Sequence, residues 1–311
     1  MLTDEDQRRF ATLGVFAGGF DLDAAAAVGG ADVYAMLVGV ERLVDHHAVR
    51  VVASPTDRPR FDMLDTVREF AVGALVAAGT ELASRDAHAT WFVGLAERGG
   101  GALAGADRAV GLALLTADHD NLRAAMDQLA GGDDVDDDRL LRLVAPMRRF
   151  WWAQGLLEEG CTRTAAALAD RDWPASPAHA MALMSAANLG DLRGQAHESR
   201  HYGERAVAML EQIGGADLPL AHVLLGRAYS ALGELAEAEH QFAAGRALAE
   251  ARQLDRIAVP ALHGEASVMM YRGDFTRAGE LLEAAVAIAR RLGDDMQVGV
   301  CLSSLAVVRR E

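Results

Sequence analysis

Residues 226–242 read GRAYSALGELAEAEHQF, and this stretch decides the fold. Gly226 and Tyr229 stand about one helical turn apart before Gly233, and Ala238 and Phe242 stand a turn apart after it. Gly233 lies between two helical stretches, so the segment reads as a helical hairpin. A small residue at a helix crossing lets two backbones approach, and a large one a turn later fills the gap between neighbouring hairpins.

The pattern recurs. Gly155, Gly194, Gly233 and Gly273 follow one another every 39 or 40 residues, and Ala278 and Leu282 follow Gly273 as Ala238 and Phe242 follow Gly233. The order of small, aromatic, then Ala and aromatic is similar to the tetratricopeptide pattern. The period exceeds the usual ~34 residues of that pattern, so extended loops between repeats are expected. The array is read over residues 139–311. Its last stretch, Met296–Arg309, matches only the first helix of another hairpin. The array thus ends without a polar capping helix, as in a fragment of a longer gene or a chain that pairs with a partner.

Working outward, residues 133–138 read DDVDDD, a solvated acidic connector. As a calcium loop it lacks the glycine turn and the distal Glu. Residues 84–129 give two helices split by a loop at Gly99-Gly100-Gly101, with Leu112, Leu115, His119, Leu122 and Met126 on the second. Before them, residues 5–16 read as a helix ending at Gly18-Gly19. Asp21 or Asp23 can cap a second helix over Ala24–Val28, and Asp32 a third, with Val33, Met36, Leu37, Val40 and Val44 on one face. Val49–Ala53 and Arg60–Leu64 are strand candidates around a turn-rich segment, and helix resumes at Asp65 or Thr66. The expected organisation is a winged-helix-like domain over 1–80, a helical connector over 81–138 and the repeats over 139–311. The fold class is mainly α, ending in an α-solenoid of helical hairpins.

Composition agrees with close-packed helices. Of the 311 residues 51% are hydrophobic and only 5% aromatic, with Ala dominant; Ala loses no side-chain entropy in a helix. Net charge is −15, which disfavours nucleic acid as a partner because phosphates repel a polyanion. All 30 basic residues are Arg, so chemistry that needs a lysine amine is excluded. Cys161 and Cys301 lie far apart without metal-ligand spacing. The polar start MLTDEDQRRF is unlike a signal peptide, and no apolar run approaches the ~18 residues of a membrane span. A cytoplasmic protein without a membrane segment is the expectation.

Four ordered segments carry a family resemblance: Leu13–Asp21 (LGVFAGGFD), Arg60–Ala71 (RFDMLDTVREFA), Asp118–Ala125 (DHDNLRAA), and Arg149–Trp152 (RFWW) followed by Gly155. Together they resemble the C-terminal, winged-helix plus tetratricopeptide-like region of actinobacterial transcriptional regulators with an NB-ARC or STAND-type ATPase core (AfsR/LuxR-like). In that family a nucleotide-binding domain precedes the first segment, and a DNA-binding domain often sits at one end. This sequence contains no G-x-x-x-x-G-K-[ST]. The resemblance therefore implies a sensing and coupling region without the ATPase, a non-enzymatic module that receives a protein, peptide or small-molecule effector and needs no cofactor. A stand-alone interaction scaffold is the alternative.

Two chemical readings compete with that one. His197-Glu198-Ser199-Arg200-His201 matches H-E-x-x-H, whose two His on one helix face can bind zinc beside a general base. Register argues against a zinc hydrolase here, because Ser199 aligns with Ala238 and Ala278 at the packed small position and turns both His partly outward. His46-His47, His88 and His119 are scattered, and His119 reads as a hydrogen-bonded core residue. A winged helix can also bind DNA, but the third helix offers Glu41, Arg42 and Asp45. Residues 1–80 hold seven Arg against twelve acids, so protein packing is expected and direct DNA binding is not. Stacked hairpins curve, with the first helix of each lining the concave face. Register from Gly226 and Tyr229 then puts Arg149, Trp152, Met184, Asn188, Arg227, His263 and Ser267 in a binding groove.

Overall fold

The computed structural model describes residues 2–56, 58–132, 137–169 and 171–310. Most of the acidic connector, Asp133–Asp136, lies outside the described residues. The fold is mainly α and ends in helical hairpins. The chain divides into two compact units, residues 1–171 and 172–311.

The first unit begins with helices α1 (Asp4–Leu13), α2 (Leu22–Gly29) and α3 (Val33–Asp45). Thr3, Asp21 and Asp32 cap them by accepting from the N–H groups of Asp6, Ala24 and Ala35, which satisfies otherwise orphaned donors. The first helix stops at Leu13, short of the expected Phe16. At Gly14 the chain passes α4 (Asp65–Ala78) so closely that a Cβ would stand 2.8 Å from that of Ala71. Phe20 then pairs with Phe61 through two backbone hydrogen bonds, which draws the segment out of helix. Strands β1 (Arg50–Val52) and β2 (Arg60–Asp62) form the expected antiparallel hairpin, with Val51 opposite Phe61.

The connector departs further from expectation. Three helices occupy it: α5 (Glu81–Ala104), α6 (Arg108–Ala117) and α7 (His119–Ala130). The three glycines do not break α5 but lie inside it. A Cβ on Gly99 would meet the Leu115 side chain at 2.6 Å, and one on Gly100 would meet Pro146 at 2.5 Å. Close helix approach requires Gly99 and Gly100 there, and a single sequence does not distinguish that use of glycine from a turn. The unit continues through α8 (Arg139–Val144), a short 3₁₀ turn, α9 (Arg148–Ala153) and α10 (Leu157–Leu168). Trp151 is fully buried against Gly160 in the α9–α10 pair.

The second unit consists of α11 (Pro177–Leu192), α12 (Ala196–Ile213), α13 (Leu218–Ala231), α14 (Leu235–Ala251), α15 (Asp255–Tyr271), α16 (Phe275–Arg291) and α17 (Asp295–Val308). Each helix packs on the next, and α11, α13, α15 and α17 also touch in series. The marker glycines have φ between +71° and +79° with open space around them, which is the left-handed helix stop that glycine accepts at least cost. Within this unit the loops are not extended. The long period comes from helices such as α14, α15 and α16, each of 17 residues, joined by three-residue turns at 232–234, 252–254, 272–274 and 292–294. At the centre the Phe242 ring lies between Gly226 and Gly264, where added Cβ atoms would meet it at 2.8 and 2.3 Å. Ala238 and Ala278 are fully buried. The small-and-large rule read from the sequence is thus met by direct contact.

Candidate functional site

The inner helices of the second unit carry the candidate site. The first helix of each pair contacts the first helix of the next, so its side chains at one register point to a shared surface. There an open pocket of about 470 Å³ is lined by Arg227, His263 and Ser267, with Asp191, Ser230, Tyr271 and Gln297 around them. Phe242, Pro260 and Val300 add apolar surface.

Arg227 is about half exposed, and its Nη2 stands 2.5 Å from Asp191 Oδ2. Burial pushes the Asp191 carboxyl up, and Arg227 draws it back. Burial also holds the His263 imidazole below its ordinary value, with Arg227 adding to the effect, so the ring is neutral near pH 7. His263 Nε2 lies 3.0 Å from Ser304 Oγ, and Ser267 Oγ donates to the His263 carbonyl at 2.9 Å. An imidazole beside a hydroxyl is part of a nucleophile–base pair, but among the described residues no carboxylate hydrogen-bonds the ring to orient it. The arrangement offers a half-exposed Arg227–Asp191 ion pair, neutral hydrogen-bonding groups and an apolar floor, a set suited to binding.

Of the groove residues expected from sequence, Arg227, His263 and Ser267 meet in this pocket. Asn188 is half-buried on α11, and Met184 is buried there at 6% exposure, so it belongs to the packing of that helix. Arg149 and Trp152 belong to the first unit. Trp152 is exposed, and Arg149 is half-buried beside Arg108, with burial lowering its pKa. Asp191, Ser230 and Tyr271 were not anticipated. Carrying the Asn188, Arg227 and Ser267 register one helical turn onward reaches all three.

The H-E-x-x-H segment opens α12, with Ser199 buried and both His197 and His201 exposed. Among the described residues no group of three or more His, Cys, Asp or Glu is placed to hold a metal ion. His119 lies at 3.3 Å from Glu159 Oε1 and edge-on to Phe150.

A second cluster ties the first unit together. Arg60, 5% exposed, donates from Nη2 to Asp118 Oδ1 at 2.7 Å and to the carbonyls of Gly18 and Gly19. Asn121 donates to the Gly19 carbonyl and to Asp118, and accepts from the Ala17 N–H. His88 Nε2 approaches Asn121 Oδ1 at 3.3 Å, and burial lowers its pKa to about 4. Three of the four segments behind the family resemblance therefore meet in one buried polar cluster.

Compared with known protein families the sequence matches none, and none of the curated proteins matches it. Among solved structures it is similar to the nearly identical TPR-like repeats of a Podosopora anserina protein described as a kinesin light chain. The likeness is at 19% identity and TM-score 0.50 over 66% of this chain and 98% of that one. It is also similar, at 12% identity and TM-score 0.47, to a STAND protein with a tetratricopeptide repeat sensor from Pyrococcus horikoshii, over 99% of this chain and 54% of that one. The first likeness shows the TPR-like repeat fold. Among the described residues no single helix is long and apolar enough to cross a membrane.

Proposed function

We propose that the chain acts by binding, as the signal-receiving region of a bacterial transcriptional or signalling regulator. The inner surface around Arg227, His263 and Ser267 takes a segment of a protein partner or an effector. The observation that carries this reading is the pocket itself: a half-exposed guanidinium beside an apolar floor, built from several inner helices. The Arg227 N–H groups that Asp191 does not engage supply directional donors for a carbonyl oxygen, and Phe242 and Pro260 supply apolar contact. Asn188, half-buried on α11, belongs to the same proposal as an extension of that surface, and Arg149 and Trp152 are proposed separately, as contact positions of the first unit.

Residues 1–80 are read as winged-helix-like on the order of three helices, a hairpin and a closing helix. Their arginines support a protein-facing role over DNA binding. Arg9, Arg42, Arg50, Arg58 and Arg68 form ion pairs with acids of the same segment, and Arg60 is buried on Asp118. Cations so engaged have little charge left for phosphates.

Selection of peptides from a random display library on the purified chain tests the groove. The expected result is binders whose affinity falls at least tenfold in Arg227→Glu and in His263→Trp. Binders indifferent to both substitutions would remove the groove from the proposal. The alternative, a stand-alone interaction scaffold, is separated by the gene: an in-frame P-loop domain encoded upstream of Met1 supports the regulator, and an unrelated upstream reading frame supports the scaffold.

A further inference from the structure

We infer that the first unit holds a binding site of its own, for a flat organic monoanion such as an aromatic carboxylate. It stands apart in the chain from the groove around Arg227 and does not depend on it.

A pocket of about 710 Å³ opens between the β-hairpin side of the unit and the α5–α6 pair. That size suits an organic ligand, since small-molecule sites run about 300–1,000 Å³. Its helical wall is apolar: Trp91 and Leu95 come from α5, and Ala113 and Leu114 from α6. Val110 at the same wall is 65% exposed, so apolar surface there has no cover of its own.

Charge decides the ligand. Three arginines reach the pocket, and two are already matched. Arg58 forms an ion pair with Asp23, and Arg60 one with Asp118. Arg98 differs. It is exposed, its guanidinium lies 5.3 Å from the centroid of the Trp91 ring, and among the described residues no ion pair engages it. This is in a sequence where acids outnumber arginines 45 to 30. A guanidinium on an aromatic face keeps its in-plane donors available for an oxyanion. The pocket thus joins an apolar shelf to one unmatched cation. A neutral ligand would leave that cation unused. A polyanion such as a diphosphate would face Asp21 and Asp23, which also line the pocket. A single negative group on a flat apolar body satisfies both walls.

Isothermal titration of the full chain with naphthoate, and with naphthalenemethanol as its neutral counterpart, tests the assignment. Naphthoate is expected to bind once per chain and about tenfold or more tighter than the alcohol, the worth of one charge-assisted hydrogen bond. Arg98→Gln is expected to erase that difference, and Ala113→Trp, which fills the pocket, to weaken both ligands. Arg277→Gln, in the repeat array, should change neither. Absence of saturable binding at millimolar naphthoate, equal affinity for acid and alcohol, or a charge preference that survives Arg98→Gln would each overturn the site. Competition by pyrophosphate at equal strength would overturn the monoanion assignment.

Discussion

In residues 1–171 the decisive polar contacts join positions remote in sequence. Arg60 and Asp118 lie 58 positions apart, and Ala17 and Asn121 lie 104 apart. In residues 172–311 the decisive contact is apolar and near: Phe242 on α14 wedges against glycines of α13 and α15, the helices before and after its own. A unit closed by long-range buried polar groups has no part that is complete without the rest. A repeat array is held by nearest neighbours and tolerates local opening. The two units should therefore respond differently to damage, and substitutions in each can sharpen or break the contrast.

The largest effect is expected from Phe242→Ala. It empties the space between Gly226 and Gly264 and should cost about 3–5 kcal/mol by denaturant unfolding. Hydrogen exchange should localise the lost protection to α13–α15; loss spread equally over residues 1–171 would break the picture of a modular array. Arg60→Met leaves Asp118 buried without its partner and should cost ~3–4 kcal/mol. Adding Asp118→Leu should restore most of it, because both charges are then gone. A double mutant no more stable than the single would mean that the ion pair is not the element that closes the unit.

Acid should weaken both units, the first more, since burial lowers His263 of the second unit but shifts His88 of the first as far as about 4. Folded His88 stays neutral down to about pH 4, whereas unfolded it takes a proton near pH 6.5. Its contribution is complete above pH 6.5 and is lost as pH falls toward 4, on the order of 3 kcal/mol in all. Unfolding followed by exchange in residues 1–171 should show this slope, and His88→Gln should flatten it. The smallest effects concern glycine. Gly233→Ala, at φ +77°, should cost about 1–2 kcal/mol. Gly101→Ala, inside α5 with nothing within 4 Å of the new Cβ, should stabilise by ~0.5–1 kcal/mol. Melting temperatures that move in opposite directions would confirm that the two glycines serve opposite purposes.

That pair also shows which features were legible. The marker glycines could be read because they recur at a fixed period, and each answers a local backbone demand. The caps at Asp21 and Asp32 could be read for the same reason, since an acceptor is needed at a helix start. Gly99 and Gly100 could not, because what they answer is Leu115 and Pro146, contacts that exist only after folding. The candidate pocket was legible in part. Register brought Arg227, His263 and Ser267 together, but it also admitted Met184, which the fold buries. Periodicity gives the direction of a side chain from its helix, not what lies in front of it.

The amino-acid sequence alone determined the helical class, the hairpin period and the small-and-large pairing that makes neighbouring helices stack, because these depend on contacts and conformations within a few turns of chain. Tertiary structure alone decided that Arg60, Asp118, Asn121 and His88 share one buried cluster, that Arg98 stands at an apolar pocket wall with no ion pair among the described residues, and that Asp191 faces Arg227. Those pairings depend on burial and on distances between remote segments, and no local pattern encodes a desolvation cost that arises only when the segments meet.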